Sequence, residues 1–166
     1  MKIILLGSII IIAGLAAAAQ GTVEVWFGQA VAVRDQYRDI IRSAEYDVTV
    51  AMDRFTDYSM ADALIDAAQR GRRVRVIVDG DKRNLLKGKA LGDHLKSGGV
   101  EVMYDRSQSN LYDRFVVIDD HTVVVGSYPF IDDAPSSPLT DAVVIRDEEV
   151  AKEYLEFFDF AWNLTK

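Results

Sequence analysis

The chain has 166 residues, 49% of them hydrophobic and 27% charged, with no cysteine, three prolines and a formal net charge of −7. That length suits one domain, and the composition is too apolar for intrinsic disorder. The missing thiol excludes disulfide scaffolds, cysteine-ligated zinc, iron–sulfur clusters and thiol nucleophiles. With only His94 and His121 present, a His-rich metal centre is disfavoured, and the acidic balance argues against non-specific coating of nucleic acid.

Residues 1–20 read as a signal peptide. Met1-Lys2 precedes the uncharged run Ile3 to Ala19, which closes in small residues suited to cleavage near Ala19. The alternative is an uncleaved N-terminal membrane anchor, for which seventeen residues stand at the lower limit of a bilayer span. The expectation is therefore an exported domain, residues 21–166, periplasmic or extracellular, or else membrane-anchored by residues 3–19. Asn163-Leu164-Thr165 is a glycosylation sequon, meaningful only in a eukaryotic secretory route.

Strands and helices then alternate. Val23 to Phe27 predicts a strand, and Val31 to Ser43 predicts a helix burying Val33, Tyr37, Ile40 and Ile41. Asp47 to Met52 is a β-branched strand, followed by a helix with Ser59 as N-cap and Ala63, Leu64 and Ala67 on its apolar face. Gly71 ends that helix before a strand at Val74 to Val78. A helix at Leu85 to Lys96 and a strand at Val100 to Tyr104 come next. Phe115 to Ile118 and Thr122 to Val125 flank Asp119-Asp120-His121 as a hairpin. Asp132 to Pro138 reads as an exposed loop, Ala142 to Ile145 as a strand, and the chain ends in a helix opening at Asp147-Glu148-Glu149. That helix should bury Val150, Tyr154, Leu155, Phe158 and Trp162. The apolar strands at 74–78, 115–118 and 122–125 need cover on both faces, which gives an α/β sandwich with a mixed central sheet.

Charge is segregated along the chain. Residues 70–96 hold nine basic and three acidic residues, whereas residues 97–166 hold five basic and fourteen acidic ones. The basic segment could meet a phosphate-rich ligand; a solvated helix end and loop is the plainer account and the favoured one.

The most specific stretch is Tyr112-Asp113-Arg114-Phe115-Val116-Val117-Ile118-Asp119, then six residues, then Gly126-Ser127-Tyr128-Pro129-Phe130. It resembles the signature of the phospholipase D superfamily: His-x-Lys, four residues, Asp, six residues, Gly-Ser-x-Asn. Residues 41–79 and Val144 to Asp147 look like the small single-motif Nuc-type bacterial endonucleases of that superfamily. The resemblance implies a phospholipase D-like α-β-α sandwich. It also implies a two-fold homodimer that brings two copies of the motif together, and metal-independent phosphodiester chemistry without a cofactor. A histidine attacks phosphorus, a second histidine protonates the leaving group, and Lys and Asn hold the phosphate oxygens.

Residue by residue the chain departs from this pattern. Tyr112 stands at the nucleophile position, Arg114 at the Lys position, Pro129 at the Asn position and Thr140 at a supporting Glu; only Asp119, Gly126 and Ser127 match. Arg114 keeps a positive charge, and Pro129 has no side-chain donor. A phenol with a pKa of about 10 stays protonated where an imidazole of about 6.5 would titrate. Losing general acid–base catalysis alone costs about a hundredfold to ten-thousandfold in rate.

The favoured reading is a non-catalytic binding or scaffold homodimer with a weakened phosphate site at Arg114 and Ser127. For Asp119 and Ser127, closing the hairpin and ordering the next strand is an equal reading. The second reading is an active nuclease- or phospholipase-type phosphodiesterase using Tyr112 as nucleophile, with Arg114, Asp119 and Ser127 completing the site and no metal. A third takes Asp79-Gly80-Asp81 at a strand end as the metal site of a haloacid-dehalogenase-type phosphatase, although Arg83 falls where a Thr or Val is usual. Phe55, Tyr58 and Tyr128 stand near the site mouth, or in core or rim. Nucleic acid remains an open partner, and membrane contact requires an uncleaved N-terminal segment.

Overall fold

The computed structural model describes residues 21–80, 82–105, 111–132 and 139–164, with side chains from 82 to 89 excluded. Seven strands form one sheet: β1 (Thr22–Gln29), β2 (Asp47–Met52), β3 (Arg73–Asp79), β4 (Glu101–Asp105), β5 (Arg114–Ile118), β6 (Thr122–Gly126) and β7 (Leu139–Arg146). Four helices accompany them: α1 (Ala30–Arg42), α2 (Tyr58–Gln69), α3 (Lys82–Ser97) and α4 (Glu148–Leu164).

The sheet order is β1-β7-β6-β5-β2-β3-β4. β2, β3 and β4 run parallel, joined by crossovers through α2 and α3, while β5 returns antiparallel against β2 and starts the β5-β6-β7-β1 ribbon. Central strands are therefore sealed on both faces. The even-numbered residues Val116 and Ile118 of β5 join a core with Val33, Tyr37, Ile41, Leu64, Leu91 and Leu95 from α1, α2 and α3. Phe115 and Val117 face the opposite core, which α4 closes with Ala151, Phe158, Tyr154 and Trp162. The expected α-β-α sandwich with a mixed sheet is what forms.

Local differences have local causes. The cap of α2 is Asp57, not Ser59: its carboxylate accepts the N–H groups of Ser59 and Met60 at 2.8 and 3.2 Å. β7 is longer than the predicted strand because all eight of its residues pair with β1. Most of the 132–138 loop lies outside the described residues, as do residues 1–20 and Asp81.

Candidate functional site

Site geometry follows from register. In the β2–β5 ladder Met52 lies opposite Arg114, so the residue after β2, Asp53, lies beside the first residue of β5. Arg114 donates from Nε to Asp53 Oδ1 at 2.8 Å and from Nη2 to Asp53 Oδ2 at 2.7 Å. This is a two-pronged pair with side chains 29% and 14% exposed. The same guanidinium donates from Nη1 to the Ser127 carbonyl at 3.1 Å, which ties β5 to the segment after β6. The hydrogen bonds that Arg114 donates to Asp53 hold its proton more firmly than in a free guanidinium, outweighing the opposing effect of partial burial.

Ser127 faces a second carboxylate. Its hydroxyl donates to Asp141 Oδ1 at 2.5 Å, and the Asp141 N–H returns a bond to Ser127 Oγ at 3.1 Å. The preceding Gly126 is required by close approach, since a Cβ there would lie 2.3 Å from the Asp141 carbonyl oxygen. Tyr128 and Phe130 then plunge into the core. Tyr128 donates its hydroxyl to the buried Asp57 carboxylate at 2.9 Å, and the Phe130 carbonyl accepts from the N–H groups of Thr56 and Asp57. Burial, with Asp57 adding to it, pushes the Tyr128 phenol far above the ordinary tyrosine range. The Gly-Ser-Tyr-Pro-Phe segment is therefore a clamp between β2, α2 and β7. Phe55 and Tyr128 belong to that core and not to a site mouth, whereas Tyr58 is exposed beside His94.

Tyr112 precedes β5 and is 78% exposed, and its side chain makes no hydrogen bond or ring contact with a described residue. No described side chain is hydrogen-bonded to its hydroxyl as a base. Thr140, expected at the position of a supporting glutamate, is buried, and its hydroxyl has no hydrogen-bond partner among the described residues. Pro129 offers the site no donor.

Asp119 is elsewhere. It follows the far end of β5, five residues and about 17 Å along the strand from Arg114. Its buried carboxylate accepts from the N–H groups of Glu45, Tyr46 and Asp47 at 3.2, 2.8 and 3.0 Å, which pins the start of β2 to the hairpin. Its backbone takes the left-handed conformation, φ +54°, that the turn requires. The structure brings Arg114 and Ser127 together, leaves Tyr112 exposed beside them, and separates Asp119 from all three. The partners that sequence reasoning missed are Asp53, Asp141 and Asp57. Among the described residues no group of three His, Asp or Glu side chains is arranged to hold a metal ion.

The family model described as "Cardiolipin synthase, PLD-like domain" matches residues 37–162. The chain belongs to the phospholipase D-like family. The solved structure of Nuc, a phospholipase D family member from Salmonella typhimurium, superposes with a TM-score of 0.81. It shares 24% identity and covers 89% of this chain and 97% of that one. Mitochondrial cardiolipin hydrolase from Xenopus tropicalis is 28% identical over 124 residues, 75% of this chain and 58% of that protein. Phospholipase D from Rickettsia conorii is 29% identical over 117 residues, 70% of this chain and 57% of that protein. Thus the chain spans less than two thirds of these curated relatives. Within this phospholipase D-like domain, the Arg114 guanidinium at the start of β5 is already bound by the Asp53 carboxylate.

Proposed function

We propose that this phospholipase D-like domain is a non-catalytic binding or scaffold module, acting as a homodimer outside the cytosol. The observation that carries the reading is the two-pronged Arg114–Asp53 pair: the cation that would attract a phosphodiester is engaged by an internal carboxylate. An incoming phosphate must compete with that carboxylate and meet Asp141 nearby, while Pro129 contributes no donor. Tyr112 is no substitute for the missing imidazole, because no described side chain is hydrogen-bonded to its hydroxyl as a base. The dimer and the export route rest on the resemblance and on residues 1–20.

A second reading is a metal-independent phosphodiesterase with Tyr112 as nucleophile. It is favoured by the relatives named cardiolipin hydrolase and phospholipase D and by the open position of Tyr112 two residues from Arg114. Hydrolysis of a chromogenic phosphodiester in EDTA separates the two. The non-catalytic reading expects no turnover above buffer in the native protein or in Tyr112→Phe. Turnover in the native protein that Tyr112→Phe abolishes would establish the second reading instead. Light scattering checks the assembly, with twice the chain mass expected and a monomer contradicting it.

A further inference from the structure

On the face of β5 turned away from Arg114, a groove of about 220 Å³ opens between Asp113 and α4, lined by Asp113, Phe115, Glu153, Tyr154 and Phe157. We propose that this groove binds an alkylammonium cation, held by the Asp113 and Glu153 carboxylates against the rings of Phe115, Tyr154 and Phe157.

The start of β5 and one face of α4 build the site. Asp113, just before β5, lines the groove beside Phe115, and Glu153 and Phe157 share a helix face four residues apart. Phe115 is the floor, with Tyr154 set edge-on at 5.0 Å and Phe157 at 6.2 Å between ring centroids. Neither carboxylate forms an ion pair with a described residue; the nearby Lys152 reaches Glu156 instead, at 4.0 Å. Burial holds the Asp113 carboxyl above its ordinary pKa, a penalty that a bound cation would relieve.

The same helix displays this chemistry already filled. Arg75 places its guanidinium 4.9 Å from the centroid of Phe158 and donates to Asp159 at 2.6 Å. There an aromatic ring and an adjacent carboxylate hold an internal cation. The groove offers the same two kinds of partner, more of each, with no cation among the described residues paired to them. Rings as its walls suit an alkylated ammonium better than a hydrated metal ion, which demands a shell of oxygens. The volume lies below the roughly 300–1,000 Å³ of drug-sized pockets, so a small head is the fitting occupant.

Tetramethylammonium chloride is the probe, titrated into the full chain and followed by NMR, with sodium chloride at equal ionic strength as control. Saturable shifts confined to the groove are expected. The dissociation constant should rise about two- to fivefold in Phe157→Ala and roughly tenfold in Asp113→Asn. Both side chains are partly exposed, and an unchanged amide spectrum outside the groove confirms that the fold persists. Linear shifts matched by sodium chloride, or saturation that neither substitution weakens, would overturn the proposal. Phosphatidylcholine vesicles, against phosphatidylglycerol as control, then identify the source. Binding competed by tetramethylammonium assigns a lipid headgroup; tetramethylammonium binding without vesicle binding assigns a soluble amine.

Discussion

Strand β5 ends in a carboxylate contact at each extremity, and the two contacts differ in kind. At its last turn Asp119 spends both oxygens on three backbone N–H groups, joining two segments more than seventy residues apart. At its first residue Arg114 meets Asp53, one charged side chain neutralising another. Removing Asp119 orphans amides that the fold needs paired. Removing Asp53 frees the Arg114 cation, which the proposed reading takes as the phosphate-attracting group. Asp119 thus serves the backbone, while Asp53 sets the electrostatics around Arg114.

Breaking the far end should have the largest effect. Asp119→Ala strands three amides and puts alanine in a left-handed conformation, so a loss of about 3 kcal/mol is expected. Thermal denaturation should register it as a fall of roughly 6–12 °C. Asp119→Asn, which keeps an acceptor oxygen, should recover part of that.

At the near end, Asp53→Asn leaves Arg114 half-paired. With Arg114 partly exposed, the expected loss is only about 1–2 kcal/mol in urea unfolding. Tyr128→Phe deletes the buried bond to Asp57 and should cost about 1 kcal/mol in the same measurement, without altering anion binding.

The smallest effect concerns pH. Asp113 titrates above its ordinary value of 3.8 because it is partly buried. Between its unfolded and folded pKa values the folded state holds more of the proton, so stability falls as pH rises through that window. Asp113→Asn should therefore be more stable than the native protein at neutral pH, with the advantage vanishing below a pH of about 4. An advantage that persists in acid would contradict burial as the cause.

The fold was legible because hydrophobic period and turn chemistry agree along the chain. Val74 to Val78 and the 115–125 hairpin are apolar on both faces, and the structure covers both. Less legible was everything set by register across the sheet. That Asp53 meets Arg114 depends on Met52 pairing with Arg114, and no local pattern announces such a pairing. Counting did carry a clue to Asp119. Four strand residues separate it from Arg114, and the hairpin turn that holds His121 begins at Asp119 itself. Ser59 looked like a helix cap because it precedes an apolar run; Asp57, two residues earlier, wins with a charged acceptor that also receives Tyr128.

The most direct test of the internally neutralised site is calorimetric titration of the full chain with inorganic phosphate, native protein beside Asp53→Asn. The account predicts no measurable binding to the native protein and binding to Asp53→Asn that Arg114→Ala then removes. Native binding that Arg114→Ala abolishes and Asp53→Asn leaves unchanged would contradict it.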